Sequence, residues 1–404
     1  MEAQALASAG PSDPESEAVQ SETVPGMWME LSPAQRELRA AFRQFAREQI
    51  APYAGQWERD AAVPRELVDG LIRHRWLGAP VAQSVGGGGM DLVTYGLLTE
   101  EIAWACSSVR SLLTVHDMVT LAAHRWGTPE VKEELVPAMA QGQLLGALGL
   151  SEPGIGSDAA GVVTKVRQEG EEFVLDGTKK WTTFGQLADV VLTFARNEDG
   201  KIGAFLVPTD SPGFSRTPMQ DFMGTRASMV AQLHFDGCRI PSRFRVGRIG
   251  FGVTHVASTA LDHGRYSVAW GGVGIAQACL DASREYAAER VQFDAPLQEH
   301  QLIRRLLADM IADTRAARLL CARAGHLRRS ADPAAVPETM IAKYFASRAA
   351  TRSAGNAVQL HGANGLSDDY PVARHWRDSK VLEIIEGSTQ IQQLSIPRYP
   401  LQEL

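Results

Sequence analysis

The sequence predicts an α+β protein in three parts: an N-terminal helical domain, a middle antiparallel β domain and a C-terminal four-helix bundle. Two observations carry that prediction. Apolar residues recur at three- and four-residue spacing in the first third and again after about residue 248. Between them the period changes, and short β-rich runs alternate with glycine turns. With 404 residues the chain has room for several subdomains sharing a core, and the boundaries fall at 29–143, 144–247 and 248–404, after a leader at 1–28.

The leader is rich in Ala, Ser, Glu and Pro. It lacks the basic start and apolar stretch of a signal peptide, so it reads as a disordered extension, and a cytoplasmic location is the default expectation. No run approaches the roughly 18 apolar residues of a membrane span. Apolar residues make up 45% of the chain and charged residues 22%, an ordinary globular profile. The net charge of -7 argues against a broad nucleic-acid-binding surface, while leaving room for a local basic patch. Cys106, Cys238, Cys279 and Cys321 form no CxxC pair, so neither a disulfide framework nor a metal site is expected.

Ser32-Pro33-Ala34-Gln35 has the form of a capping box with proline at the first helical position. Leu38, Phe42 and Phe45 continue it as an amphipathic helix that Pro52 closes. Helical patterns follow at Leu67–Trp76, Leu92–Ala105 and Val131–Met139. Strand-like runs then appear at Phe173–Leu175, Val190–Phe194, Ala204–Val207 and Ala231–Phe235, and the β segment ends near Val246. Val268, Gly272, Ile275, Cys279, Ala282 and Tyr286 make one buried seam of a long helix. Further helices are expected at Leu302–Leu327, Glu338–Leu360 and about Ser379–Ile384.

Several segments have chemical potential. Ser151-Glu152-Pro153-Gly154-Ile155-Gly156-Ser157-Asp158 is either an anion cradle of backbone amides and hydroxyls or a plain glycine turn. Lys180-Trp181-Thr182-Thr183 ends a strand, where the indole is a cofactor wall or a core residue. Glu386 follows Ile384-Ile385. Burial there would raise its pKa towards that of a general base working near neutral pH; a solvated helix-end glutamate is the bland alternative. Arg110, with Ser107, Ser111 and Thr114, puts polar groups on one helix face, fit for a small oxygenated acyl group or for an interhelical network.

Taken in order, the segments SEPGIGSD, KKWTT, Arg290–Phe293, YPVARHWRDSK and EGSTQIQQ resemble the acyl-CoA dehydrogenase family from about residue 30 to 397. The resemblance implies an FAD enzyme that is a homo-oligomer, tetramer or dimer, with Glu386 as base. It places Ser151 and Ser157 on the flavin ring and pyrophosphate, and Trp181 and Thr183 against the isoalloxazine. Arg290, Gln292, Phe293, Gln359 and Gly362 would reach the FAD of a neighbouring subunit, and Ser388 and Gln390 the adenosine side. Some relatives carry the base immediately before the arginine matched by Arg265; that position is Gly264 here. Arg110, Ser111, Thr114, Arg265 and Ile385 are the candidate substrate-facing residues. Two departures stand out: Phe293-Asp294 replaces the family's usual Phe-Gly, and Gly362-Ala363 replaces Gly-Gly.

Within the family, the segments around Cys106–Ser111, Ser267–Gly271 and Glu383–Ser388 are most similar to enzymes of polyketide extender-unit biosynthesis. That similarity implies a short acyl group on an acyl carrier protein, a three-carbon semialdehyde oxidised to a malonyl-type carboxylate, and a separate electron acceptor. Basic clusters at Arg243, Arg245 and Arg248, and at Arg323, Arg328 and Arg329, are candidates to receive the acidic carrier. The alternatives are α,β-desaturation of a short acyl-CoA or acyl-ACP, a flavin oxidase or monooxygenase, and a non-catalytic carrier-binding scaffold.

Overall fold

The computed structural model describes residues 30–399, so the leader expectation lies outside the described residues. Helix α1 (Pro33–Phe45) opens with the expected capping box: Ser32 Oγ accepts from Gln35 N–H at 3.2 Å, and the Gln35 side chain accepts from Ser32 N–H at 3.0 Å. The helix continues through a π-turn at Ala46–Ile50 and ends at the turn that holds Pro52; beyond it lies α2 (Ala54–Asp60), a helix absent from the sequence pattern. Helices α3 (Arg65–Arg73), α4 (Leu92–Ala105), α5 (Ser107–Trp126) and α6 (Val136–Ala140) complete the first layer. Asp91 caps α4 by accepting from Val93 and Thr94 N–H.

The middle sheet contains β1 (Gly146–Gly149), β2 (Lys165–Glu169), β3 (Glu172–Thr182), β4 (Val190–Arg196), β5 (Ile202–Pro208), β6 (Phe214–Pro218), β7 (Ala231–Pro241) and β8 (Arg245–Val246). Their spatial order is β6-β7-β3-β2-β4-β5-β8, with β1 against β4. The expected antiparallel domain is therefore a mixed sheet, because β1 pairs with β4 in parallel, Gly146 opposite Val190. Parallel neighbours need a long crossover, and the segment holding the β2–β3 hairpin supplies it.

Helices α7 (Ser258–Glu289), α8 (Gln301–Arg329), α9 (Ala335–His361) and α10 (Val372–Ile384) form the C-terminal bundle, followed by the short α11 (Thr389–Ser395). Between α7 and α8 lies a small hairpin, β9 (Val291–Gln292) and β10 (Ala295–Pro296). Its turn residues Phe293 and Asp294 have φ of 51° and 60°. Aspartate tolerates that left-handed geometry, which accommodates the departure from glycine.

One apolar core joins α1 and α3–α5 to α7–α9, so the first layer and the bundle pack as one body. Between α1, α4 and α8, buried Glu100 and Glu101 are ringed by Arg39, Arg43 and Arg318. The four cysteines are free and buried. Among the described residues, no helix is long and apolar enough to cross a membrane.

Candidate active site

Helices α5 and α7 meet in an antiparallel contact with three rungs. A β-carbon on Gly264 would lie 2.8 Å from Met118 Sδ, Thr114 Oγ1 sits 2.6 Å from Ser267 Oγ, and a β-carbon on Gly271 would lie 3.1 Å from Arg110 Nε. The small residues Gly264, Ser267 and Gly271 give α5's polar face room.

Glu386 approaches the first rung from the end of α10. Ile385 caps that helix in extended geometry, and Glu386 then turns left-handed with φ 55°, followed by Gly387 at 89°. The reversal sends the chain into α11, whose N-terminus Ser388 caps by accepting from Ile391 N–H at 3.4 Å. The side chain of Glu386 reaches Gly264, and its Oε2 is buried without a hydrogen-bond partner. Burial pushes the carboxyl up to about 7, against the opposing pull of Arg265, Lys343 and Arg110. A carboxyl poised there can act as a base near neutral pH.

The loop carrying Glu386 is held by its carbonyls. Arg265 Nε and Gln392 Nε2 each donate to Glu386 O at 3.2 Å. Lys343 Nζ donates to Gly387 O at 2.7 Å, and Gln392 Nε2 adds a second bond to it at 3.1 Å. Sequence reasoning missed Lys343 and Gln392, since nothing in the local pattern marks a polar residue inside a buried helix face.

Arg110 is fully buried. Its Nη1 donates to Thr114 Oγ1 at 3.1 Å and its Nη2 to Ser107 Oγ at 3.4 Å, while Nε has no partner. Among the described residues no carboxylate lies within ion-pair distance of it. Desolvation lowers the guanidinium to about 10, partly offset by the field of Glu386. Ser111 is turned back on its own helix, donating to Ser107 O at 3.0 Å. Beside this cluster lie Tyr95 and His263, joined O to Nε2 at 3.1 Å, and Asp117, which accepts from Gly78 N–H at 2.8 Å. Burial raises Asp117 to about 8, so it is chiefly neutral at pH 7. Its place seven residues after Arg110, on the same helix face, was the available signal.

On the sheet side, Glu152 pins the glycine loop. Its carboxylate accepts from Val163 N–H, from Thr164 N–H and Oγ1–H, and from Lys179 Nζ at 2.7 Å, all in a buried setting. Ser151 is half-buried, and its carbonyl accepts from Lys180 N–H. Ser157 is exposed, and β-carbons at Gly154 and Gly156 would meet nothing within 4 Å. A register shift between Lys179 and Thr182 twists the end of β3, leaving Trp181 at φ 65° and 52% exposed, edge-on to Phe222 at 6.4 Å. Thr183 is half-buried next to it, and the neighbouring Thr182 and Ser228 hydroxyls are buried without partners. An outward indole, open glycines and unpaired hydroxyls fit a flat, phosphate-bearing cofactor such as FAD.

The remaining cofactor candidates lie elsewhere. Arg290 ends α7, 26 residues from Gly264, which is roughly 39 Å along the helix. Gln292 and Phe293 sit on the hairpin beyond it, with Phe293 92% exposed. Gln359 and Gly362 close α9, and Gln390 is exposed on α11. Arg290 and the hairpin beyond it thus lie at the far end of α7 from Glu386. Cavities of about 420 Å³, between the end of α7 and the start of α8, and about 140 Å³, beside Phe222 and Arg226, also lie away from Glu386.

In the expected C-terminal basic cluster, Arg323 pairs with Glu338 at 3.1 Å, Arg328 pairs with Asp262 at 2.7 Å while covering the Tyr266 ring, and Arg329 is exposed. Arg243 likewise faces Glu134 at 3.6 Å.

Three family models match in chain order: the acyl-CoA dehydrogenase N-terminal domain over residues 32–143, the middle domain over 147–238 and the C-terminal domain over 251–399. The chain belongs to the acyl-CoA dehydrogenase family. Members are FAD-dependent oxidoreductases acting on acyl thioesters, and that is the chemistry this enzyme shares. A probable acyl-CoA dehydrogenase of Bacillus subtilis is 38% identical over 380 residues, covering 92% of this chain and 99% of that protein. Glutaryl-CoA dehydrogenase from Mycobacterium smegmatis superposes with a TM-score of 0.87 at 34% identity, covering 92% of this chain and 96% of that one. FkbI, for biosynthesis of the methoxymalonyl extender unit of the Fk520 polyketide, gives 0.82 at 32% identity, with 89% and 98% covered.

Proposed function

We propose that this acyl-CoA dehydrogenase oxidises a short acyl thioester whose far end carries oxygen, a three-carbon semialdehyde unit on an acyl carrier protein that leaves as a malonyl-type carboxylate. The observation that carries this reading is Arg110: a fully buried cation with no acid within ion-pair distance among the described residues, within the electrostatic reach of Glu386. A buried charge left unpaired is costly unless a ligand completes it, and a carboxylate or hydrated aldehyde is the natural complement of a guanidinium. Similarity to FkbI supports the extender-unit assignment.

Glu386 takes the proton. From the aldehyde hydrate it removes a hydroxyl proton as the carbon gives up hydride; from a saturated acyl chain it removes the α proton. Trp181 and Thr183 would hold FAD, which would supply the hydride acceptor for this step and the link to a separate electron acceptor. Glu386 N–H is the chain's own donor for the thioester oxygen; donors to developing oxyanions contribute about 3–4 kcal/mol. Ser151, Ser157, Ser388 and Gln390 are assigned to the cofactor of the same chain. Arg290, Gln292, Phe293, Gln359 and Gly362 are assigned to that of a neighbour in a tetramer or dimer, a reading that the place of Arg290 at the far end of α7 from Gly264 supports.

A second reading is a short dicarboxylic acyl-CoA of the glutaryl type. Arg110 donates at the Thr114–Ser267 rung, one helical turn or about 5 Å beyond the Gly264 rung, a span that suits a carboxylate several bonds past the α carbon. Anaerobic bleaching of the bound flavin tests both. Bleaching by a three-carbon semialdehyde on carrier protein, with glutaryl-CoA and butyryl-CoA inert, supports the first. Bleaching by glutaryl-CoA selects the second, and bleaching by butyryl-CoA alone removes Arg110 from substrate recognition.

A further inference from the structure

We propose that Lys343 is a positioning residue for Glu386, an ammonium that clamps the carbonyl of Gly387 and so holds the left-handed turn that aims the carboxyl group. The inference rests on Glu386 being the base. Lys343 sits on α9, fully buried, and among the described residues no carboxylate lies within ion-pair distance of it. Its Nζ donates to Gly387 O at 2.7 Å. Such an ammonium is an expensive way to fill a helix interface, where a methionine would pack as well.

The turn needs an external hold. Helix α10 ends where Ile385 N–H donates to Val381 O, and α11 begins where Gln392 N–H donates to Ser388 O. Between those bonds the carbonyls of Glu386 and Gly387 are received by Arg265, Gln392 and Lys343, from α7, α11 and α9. A glutamate at φ 55° persists only when its surroundings over-determine it. Lys343 differs from Gln392 in bringing charge. The groups whose fields meet here are Arg110 from α5, Asp262 and Arg265 from α7, Arg328 from α8, Glu383 from α10, and Tyr399 beyond α11. Loss of the ammonium thus releases the turn and removes one of the cations that favour ionised Glu386.

The test uses the FAD-loaded enzyme as Lys343→Gln, Lys343→Arg and Glu386→Gln, with anaerobic flavin reduction followed across the neutral pH range by an acyl thioester that bleaches the wild type. Lys343→Gln should keep FAD and substrate affinity, while reduction slows about 10- to 100-fold. Its acid limb should move alkaline by about one unit, because a neighbouring cation is gone. Lys343→Arg should keep the limb in place and recover part of the rate. Lower thermal stability and FAD content with an unmoved limb in the loaded fraction would mean a merely structural lysine and overturn the proposal. If Lys343→Gln does not fold, Lys343→Arg decides: a displaced limb in that charge-preserving variant overturns it. Wild-type reduction by Glu386→Gln would instead bring down the base assignment itself.

Discussion

Gly264 and Glu386 compete for one volume: a β-carbon on Gly264 would lie 2.8 Å from both Cδ and Oε2 of Glu386. The position where some relatives carry their base is thus the floor on which this enzyme's candidate base rests. Glycine there is a steric condition for a buried carboxyl at residue 386.

Gly264→Ala should therefore slow flavin reduction by about tenfold or more while FAD stays bound, since positioning losses of this kind are large. Alanine improves helix propensity by about 1 kcal/mol, but overpacking costs about 1–3 kcal/mol, so the net change in thermal stability should be unfavourable or near zero. A faster enzyme would show that the contact does not constrain the carboxyl.

Glu386→Gln should retain the visible flavin spectrum and lose about 10²- to 10⁴-fold in reduction rate, the range expected for removing a general base. Stopped-flow bleaching checks this directly.

The rate of reduction should rise with pH around a midpoint near 7, because Glu386 must be ionised and burial holds it at about 7 rather than 4.5. For stability the sign is opposite. A carboxyl raised in the fold contributes fully below about 4.5, and that contribution is lost as pH climbs through 7. A midpoint near 4.5 would mean that Glu386 is solvated during catalysis.

Arg110→Met should preserve butyryl-thioester binding and weaken an acyl group with a terminal carboxylate or hydrate by about 10- to 100-fold, the value of one or two charge-assisted bonds. Equal losses for both substrates would falsify the pocket assignment.

Lys179→Met leaves Glu152 buried without its 2.7 Å ammonium partner, so a loss of about 3–5 kcal/mol is expected. The Ser151–Asp158 loop hangs on that carboxylate, and FAD content, read as the ratio of flavin to protein absorbance, should fall with it. Full FAD retention would separate the loop from cofactor binding.

Much of the fold was legible. The stripe from Leu92 to Ala105 and the seam from Val268 to Tyr286 mark helices where the structure has them. The start of α10 was not, because Arg374, His375 and Asp378 are buried there and break the apolar period, while Trp376 is 44% exposed. The parallel β1–β4 pair was hidden too, since strand direction depends on the path of the crossover and not on either strand's residues.

What the sequence by itself determined was the helix–sheet–helix order of the three parts, the family, and a set of candidate side chains that includes Glu386: periodicity, capping and turn residues act over a few positions. The tertiary structure alone decided which buried polar groups meet. Lys343 and Gly387 are 44 residues apart, Arg265 and Glu386 121, and Thr114 and Ser267 153. Desolvation and field at Glu386 are sums over such distant partners, so its poise near neutral pH exists only once α5, α7 and α9 have packed around it.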